Sequence, residues 1–239
     1  MVQYWDMNKH AKHLFFDLDK TVAPARQPIL EEMFELLNTI PHNIIIVSGQ
    51  EVPKIEWQTN GLRAYRLGQN GNHATEADGT LLWNIPLDDH HKGEIQRHIV
   101  QLMKHIDHDI NHEWIPIEDR GAQITFSPIG NVAPVDVKMA YDPDRKKREE
   151  LLRKVPFESD ELVVKIGGST SVDYIHKDRH KGTNVKKLID VKGWNPDECI
   201  YFGDGLFPGG NDEAVIGVIE TILVDDHIHT YNLLKKHYL

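Results

Sequence analysis

Short apolar runs that each end at a polar residue constrain the fold of this chain most strongly. The runs and the polar residues that follow them are residues 14–16 and Asp17, residues 44–47 and Ser48, and residues 199–202 with Gly203 and Asp204. Runs without alternation are typical of parallel strands buried on both faces. Between the first two runs, apolar residues recur at helical spacing from Leu30 to Leu37. The pattern predicts an α/β fold with a Rossmann-like parallel-sheet core.

The middle of the chain has a different pattern. Ile95, Ile99, Leu102 and Ile106 form one helical stripe, and short strand-like pieces follow around Ile115, at residues 123–126 and at residues 163–166. A helix followed by short strands is typical of an α+β unit. We therefore expect an α+β cap domain at residues 84–177, inserted into a core made of residues 1–83 and 178–239.

Composition excludes several classes of protein. The 239 residues include 37 acidic and 27 basic ones, so the net charge is -10, and a nucleic-acid partner is not expected. No stretch approaches the roughly 18 apolar residues of a membrane span. Cys199 is the single cysteine and lies in an apolar run, which indicates a buried thiol in a reducing compartment. We expect a soluble, cytoplasmic protein without a membrane partner.

The polar residues at the predicted strand ends suggest a metal site. In a parallel sheet, ligands bind beyond the carboxyl ends of the strands, and residues two apart on a strand face the same side. Asp17 and Asp19 would thus share one crevice, with Asp204 as a third ligand and Asp212 as a direct or outer contributor. A single acidic residue is more often a helix cap or a turn residue. Oxygen ligands in such a group favour Mg²⁺.

The remaining polar residues complete the requirements of phosphoryl transfer through an aspartate. One carboxylate would attack phosphorus, and a second would shuttle the proton. Thr21 or Ser48 and Lys181 would hold phosphate oxygens, while the metal ion shields the charge.

This set resembles the signature of the haloacid dehalogenase superfamily: Asp-x-Asp-x-Thr, then a strand-end Ser or Thr, a Lys, and a Gly-Asp with further acids. The resemblance implies that Asp17 is the nucleophile and that Asp19 is the general acid and base, with its backbone carbonyl on the metal. Phosphatases and phosphomutases of the superfamily keep an acid at the position of Asp19. Catalytic residues would then be Asp17, Asp19, Ser48 and Lys181.

A closer resemblance extends almost end to end, to the eukaryotic-type phosphomannomutases and related sugar phosphatases with a type IIB cap. The matching segments are DLDKTVAPAR at 17–26, SPIG at 127–130, GGSTSVD at 167–173, Lys181, and GDGLFPGGND at 203–212. Lys20 stands where those enzymes usually have Gly. The resemblance implies that Arg26, Arg120, Ser171 and Asp173 contact the phosphate or the sugar hydroxyls.

Two departures from the mutases bear on the reaction. The residue after SPIG is Asn131 and the next cap position is Lys138, whereas the mutases have arginine at both. Bidentate arginines suit a second phosphate site better than Lys or Asn. We therefore expect a Mg²⁺-dependent phosphatase that acts on a small sugar phosphate through an aspartyl-phosphate, with Lys138 among the cap contacts. The alternatives are a phosphomannomutase and a non-catalytic binding module that retains the fold.

Two further expectations concern partners and histidines. The mutases resembled here pair through their caps, which implies a homodimer, although the apolar stripe could instead cover the cap's own sheet. Fifteen histidines are present, but groups such as His90-His91 lack further ligands at zinc spacing. We expect these histidines to be solvated.

Overall fold

The computed structural model describes residue 8 and residues 10–238. The chain divides into two compact units: unit 1 is Met1–Asn84 with Arg179–Leu239, and unit 2 is Ile85–Asp178. These junctions lie one residue from the expected ones. The assignment of the two units as core and cap stays a prediction.

Strand and helix alternate over residues 13–68 of unit 1, while the next two strands follow without an α-helix between them, and unit 2 mixes helices and strands. The strands, in chain order, are β1 (His13–Asp17), β2 (Asn43–Val47), β3 (Tyr65–Gly68), β4 (His73–Thr75), β5 (Leu81–Asn84), β6 (Ile117–Asp119), β7 (Gln123–Phe126), β8 (Leu162–Ile166), β9 (Val172–His176), β10 (Cys199–Gly203) and β11 (Glu220–Leu223). The helices are α1 (Glu31–Thr39), α2 (Val52–Gln58), α3 (Asp89–Met103), α4 (Val135–Tyr141), α5 (Lys146–Lys154), α6 (Lys181–Lys192) and α7 (His227–Tyr238).

Unit 1 is built on a seven-stranded sheet in the order β11-β10-β1-β2-β3-β4-β5. The strands from β11 to β3 pair in parallel, and β4 and β5 continue the sheet as antiparallel hairpins. The predicted parallel-sheet α/β core is confirmed. The hairpin turns fall at Asn70-Gly71 and Asp78-Gly79, where the Asn-Gly and Asp-Gly pairs predict tight turns.

The central strand β1 is buried on both faces. Leu14 and Phe16 pack in the cluster that contains Met33 and Leu37 of α1. Phe15 points the other way and packs with Val185 of α6 and other apolar residues of that layer. Successive residues of a strand alternate between faces, so helices on both sides need apolar residues at the successive positions 14–16 of β1.

Unit 2 is a four-stranded antiparallel sheet, in the order β6-β7-β9-β8, that packs on α3. Ile95, Ile99 and Leu102 of α3 are buried in the same cluster as Phe126, and the predicted stripe is confirmed for these three residues. Ile106 lies beyond the end of α3 and is only partly buried.

The strand expected around Ile115 is present, but it does not include Ile115. Ile115 has a left-handed backbone (φ 51) after a single 3₁₀ turn at His112–Trp114, and β6 begins only at Ile117. β9 was not predicted as a strand, although Val172, Tyr174 and His176 alternate as buried residues along it. Cys199 is buried as expected, and burial raises the pKa of its thiol to about 12. No helix of the described chain is long and apolar enough to cross a bilayer.

Arg148 is a buried charge inside unit 2. The run Arg145–Arg148 has the charge pattern of an exposed helix face, but Arg148 on α5 is 1% exposed. Its Nε donates to Asp142 Oδ2 at 2.7 Å, and its Nη1 donates to the backbone carbonyls of Gly167 and Ser171 at 2.5 and 3.1 Å. Buried charges require such partners, because desolvation is otherwise uncompensated.

We expect Arg148→Met to destabilise the protein by about 3–5 kcal/mol, because it leaves the buried Asp142 carboxylate without its ion pair. The measurement is the free energy of unfolding in urea. Arg153→Met on the same helix is the control, since Arg153 is exposed and pairs only with Glu150; its effect should stay below about 0.5 kcal/mol. Equal effects of the two substitutions would contradict this prediction.

Candidate active site

The carboxyl ends of three adjacent strands meet at one edge of the sheet of unit 1. β1 ends at Asp17, Ser48 follows β2, and Asp204 follows β10. These strands pair in parallel in the order β10-β1-β2, so their ends lie side by side. Asp17 and Ser48 are buried, and Asp204 is partly exposed. The edge thus collects polar groups that the sequence separates by more than 150 residues.

Lys181 links this edge to the loop after β10. It is the first residue of α6 and is 3% exposed. Its Nζ donates to Asp17 Oδ1 at 2.5 Å and to Asp212 Oδ1 at 2.7 Å. Asp212 also accepts from Tyr201 Oη at 2.7 Å and from the Gly205 N–H at 3.2 Å. Both oxygens of the buried Asp212 carboxylate are therefore held by donors.

Three carboxylates form a cluster around this lysine. One oxygen from each of Asp17, Asp204 and Asp212 lies within 4.8 Å of the others. Burial raises the pKa of Asp17 to about 7; the Lys181 ammonium opposes this rise, and Asp212 adds to it. Burial also raises the pKa of Asp204, with a further contribution from Asp212. Burial alone would lower the pKa of Lys181, but Asp17 and Asp212 outweigh it and raise that pKa.

The chemistry of this donor set fits a hard divalent cation. All three groups are carboxylates, the ligand type that Mg²⁺ prefers. Lys181 is one positive charge beside three acids, and a divalent ion would supply further positive charge. Glycine at position 203 leaves room for the Asp212 carboxylate, because a Cβ there would lie 2.5 Å from Asp212 Oδ2.

The side chain of Asp19 is engaged outside this cluster. Its Oδ1 accepts from the backbone N–H of Arg26 at 2.6 Å and from Gln58 Nε2 at 2.8 Å. Its Oδ2 accepts from Gln50 Nε2 at 2.9 Å. The Arg26 side chain is exposed, and its contribution in this structure is the backbone bond to Asp19.

A tight turn follows Asp17. Val22 N–H and Ala23 N–H both donate to the Leu18 carbonyl at 3.1 Å, and Lys20 adopts a left-handed backbone with φ 63. This conformation explains why glycine suits the position of Lys20, since a Cβ is strained there. Thr21 is buried, and its Oγ1 accepts from the Asp204 N–H at 3.2 Å.

The residues expected to bind substrate from the cap lie in unit 2. Thr125 Oγ1 donates to Asp173 Oδ1 at 2.8 Å, and burial raises the pKa of Asp173 although this bond and Arg120 oppose the rise. Arg120 Nη2 donates to Glu118 Oε2 at 2.5 Å. The Ser171 carbonyl accepts from Gly167 N–H at 3.0 Å, and a Cβ on Gly167 would lie 2.0 Å from Asp173 Oδ2. Arg120 lies in the turn between β6 and β7, Ser171 lies in the loop between β8 and β9, and Asp173 lies on β9.

The two positions that depart from the mutases contact each other. Lys138 Nζ donates to the backbone carbonyl of Asn131 at 2.5 Å. The Asn131 side-chain amide donates to the carbonyls of Ile115, Pro116 and Thr125 at 3.0, 3.3 and 3.4 Å. Both side chains are thus used in local contacts with the backbone.

Sequence reasoning missed three residues of unit 1 that contact the site. Gln50 follows Ser48 with the same two-residue offset that relates Asp19 to Asp17. Gln58 lies on the buried face of α2 with Val52 and Ile55, so a polar residue interrupts an apolar stripe there. Tyr201 is a polar-tipped residue in the apolar run of β10. These three positions are the sequence features that could have indicated a contact with the site.

A second cluster of titratable groups lies in unit 2. His91, which was expected to be solvated, is buried: its Nε2 lies 2.8 Å from Glu161 Oε2 and its Nδ1 lies 3.0 Å from Asp88 Oδ1. The nearby His176 Nδ1 accepts from the Asp178 N–H at 3.1 Å. The Nε2 bond to Glu161 ties the start of α3 to the residue before β8, whereas Nδ1 has no hydrogen-bond partner among the described residues and Asp88 Oδ1 accepts from the His91 backbone N–H.

Comparisons with known proteins agree with this geometry. The family model of eukaryotic phosphomannomutase matches residues 38–228. A phosphomannomutase from Schizosaccharomyces pombe is 26% identical over 84% of each chain. Phosphomannomutase 2 from Dictyostelium discoideum is 28% identical, also over 84% of each chain.

Solved structures show the same fold at low identity. A phosphatase of the haloalkanoate enzyme superfamily from Bacteroides thetaiotaomicron has a TM-score of 0.62 at 14% identity, over 99% of each chain. A haloacid dehalogenase-like hydrolase from B. subtilis has a TM-score of 0.61 at 13% identity, covering 94% of this chain and 99% of that one. The expected superfamily resemblance is confirmed.

We expect Lys20→Gly to stabilise the protein by about 1 kcal/mol relative to Lys20→Ala, because only glycine is unstrained at positive φ. Both substitutions remove the Lys20 side chain, which lies 3.9 Å from Asp204, so their difference isolates the backbone strain. The measurement is the free energy of unfolding of each variant. An alanine variant as stable as the glycine variant would show that the turn carries no such strain.

Proposed function

Because the chain belongs to the eukaryotic phosphomannomutase family, we propose that it transfers a phosphoryl group from a small sugar phosphate to Asp17 and then to water. The family and its fold neighbours are enzymes. The buried Asp17, paired with Lys181 at the end of β1, supports the role of nucleophile. Catalytic activity is also favoured over an idle binding module, since the acid set is complete and two of its members, Asp17 and Asp212, are buried.

Two proton transfers and two displacements make up the proposed reaction. In the first step, an Asp17 oxygen bonds to phosphorus, the phosphorus–oxygen bond to the sugar breaks, and Asp19 protonates the departing oxygen. In the second step, Asp19 takes a proton from water, the water oxygen bonds to phosphorus, and the bond from phosphorus to Asp17 breaks. Ser48 and Lys181 bind phosphoryl oxygens in both steps.

The metal ion in this proposal is Mg²⁺. Asp17, Asp204 and the backbone carbonyl of Asp19 would hold it, with Asp212 as a direct or outer contributor. When bound, it supplies positive charge that offsets the negative charge of the phosphoryl group.

The observation that carries a phosphatase rather than a mutase is the local pairing of Lys138 with Asn131. A mutase must hold the second phosphate of a bisphosphate while the sugar turns around, and arginine forks suit that task. Here Lys138 Nζ is bonded to a backbone carbonyl, and the Asn131 amide is bonded to three. In unit 2, Arg120 with Ser171 and Asp173 would then recognise the sugar phosphate, with a weaker contact from Lys138.

A phosphomannomutase is the second candidate, and the family match favours it. The relatives reported above are mutases, and the match extends through both units. In that reaction the acceptor is a hydroxyl of the bound sugar instead of water. A homodimer through unit 2 and a cytoplasmic location remain predictions from the sequence.

We expect phosphate release from one or more members of a panel of hexose and pentose phosphates with Mg²⁺, without added hexose 1,6-bisphosphate. Asp17→Asn should reduce the release at least about a thousandfold, because it removes the nucleophile. Asp190→Asn is the control, since Asp190 is an exposed residue of α6 that pairs with Lys186.

The same panel run with glucose or mannose 1,6-bisphosphate distinguishes the two candidates. Bisphosphate-dependent interconversion of mannose 1-phosphate and mannose 6-phosphate, with little phosphate release, would replace the phosphatase by the mutase. No turnover under either condition would favour the binding module.

We expect Mg²⁺ to raise the melting temperature of the protein by several °C, because a ligand at a hundredfold excess over its Kd stabilises the folded state by about 2.7 kcal/mol. Asp204→Asn should abolish most of this shift, and Asp190→Asn should retain it. The measurement is thermal unfolding with and without Mg²⁺. A shift of equal size in Asp204→Asn would place the bound ion elsewhere.

A further inference from the structure

The carboxylate of Asp19 is held by donors from three separate segments of unit 1. The backbone N–H of Arg26 donates from the turn after β1, Gln50 Nε2 donates from the segment before α2, and Gln58 Nε2 donates from the last residue of α2. A carboxylate with one rotatable bond to its Cβ has little freedom left when both oxygens are bonded in this way. The orientation of Asp19 is therefore set by residues outside the Asp-x-Asp motif.

The two glutamine amides orient each other. Gln50 Nε2 donates one hydrogen to Asp19 Oδ2 and the other to Gln58 Oε1, at 2.9 Å each. Because Gln58 Oε1 accepts this hydrogen, Gln58 Nε2 must face Asp19 Oδ1. A rotated Gln58 amide would place its oxygen against the carboxylate and would lose both bonds. The pair thus has one arrangement that satisfies every group.

Packing alone does not account for an amide at position 58. Gln58 is 0% exposed and shares the buried face of α2 with Val52 and Ile55. An apolar side chain would fill this place without the need to satisfy buried polar atoms. The hydrogen bonds to Asp19 and Gln50 compensate the burial of the Gln58 amide. Its polar atoms therefore serve the contact with the acid and are not needed to pack the core.

We propose that Gln58 and Gln50 are positioning residues for Asp19, which fix its carboxylate so that Oδ2 is the oxygen that gives and takes the proton. Oδ1 accepts two N–H groups, whereas Oδ2 accepts one and keeps a lone pair for proton exchange. Gln50 also donates its backbone N–H to Ser48 Oγ at 3.1 Å, which joins the acid to a residue proposed to bind the phosphoryl group. This inference rests on the proposed role of Asp19 in phosphoryl transfer.

The proposal predicts that the rates of the two chemical steps depend differently on Asp19, and that the rate of the first step also depends on the leaving group. Release of p-nitrophenolate needs no proton from Asp19, because this anion is a good leaving group. Release of a sugar needs the proton, and attack of water in the second step needs Asp19 as the base. When a catalytic group is displaced by about 1 Å, the rate of the reaction falls roughly a hundredfold.

The experiment is rapid-mixing kinetics of Gln58→Met and Gln50→Met with p-nitrophenyl phosphate and with the panel member that the wild type hydrolyses fastest. We expect the first-turnover burst of p-nitrophenolate to keep its rate within about threefold and its amplitude near one per enzyme. Steady-state turnover of both substrates should fall about 10–100-fold. Thr59→Val is the matched control: Thr59 is the buried neighbour of Gln58 and bonds the Ile55 carbonyl, so its loss disturbs the same helix end without touching Asp19.

A second comparison uses the Asp19→Ala background. If the glutamines act through Asp19, adding Gln58→Met to Asp19→Ala changes turnover by less than about twofold. A further loss of tenfold or more in that background would overturn the proposal. A reduced burst amplitude in Gln58→Met and Gln50→Met, matched by Thr59→Val, would also overturn it, because it indicates less folded enzyme.

The outcomes separate this inference from the proposed function. A wild type that shows neither a burst nor turnover contradicts the phosphatase itself, whatever the variants do. An active wild type whose Gln58→Met and Gln50→Met variants are unchanged in every step overturns only the role of the glutamines. Gln50 is partly exposed, so its variant tests the proposal even where the replacement of the buried Gln58 prevents folding.

Discussion

The organisation of unit 1 depends on one buried ammonium group between two buried carboxylates. Lys181 bonds Asp17 and Asp212, which lie 164 and 31 residues away along the chain. An unpaired charge at such a site costs several kcal/mol, so the end of β1, the start of α6 and the loop after β10 must come together for any one of the three groups to be stable. The parallel order of β10, β1 and β2 places their carboxyl ends side by side, and α6, which precedes β10, supplies the lysine.

The same ion pair leaves the site with more acidic groups than basic ones. One positive charge lies among three acids, Asp17, Asp204 and Asp212. Burial is the main cause that raises the pKa of Asp17 and of Asp204, and Asp212 adds to both rises. A structure built for stability alone would replace such a group by apolar residues, which are often more stabilising than buried charges. Excess negative charge at the carboxyl edge of a parallel sheet fits the proposed metal-assisted phosphoryl transfer instead.

Much of this arrangement could be predicted from the sequence, because it follows from periodicity. An apolar run that ends in an acid predicts both the strand and the position of the acid, as with Asp17 and Asp204. The bonds of Gln58 could not be predicted in this way, since they join an α2 residue to a turn 39 residues earlier, and no local pattern encodes that pairing. Two residues differ from their local sequence pattern for a related reason. Ile115 lies outside the strand because its backbone is left-handed, and Arg148 is buried because it forms an ion pair with Asp142. Both features depend on tertiary context, which overrides local propensity.

The departures at Asn131 and Lys138 share one feature, which is a contact with backbone carbonyls. Lys138 Nζ bonds the backbone carbonyl of Asn131, while the Asn131 amide bonds carbonyls at the edge of the sheet of unit 2. The carbonyl that Lys138 bonds belongs to the backbone, so an arginine at position 131 would still present it. An arginine at position 131 would remove the side-chain donor, but the Ile115 and Pro116 carbonyls would still accept the backbone N–H groups of residues 131 and 127. A second phosphate site would need both side chains to leave these carbonyls, which is the physical argument behind the proposed phosphatase.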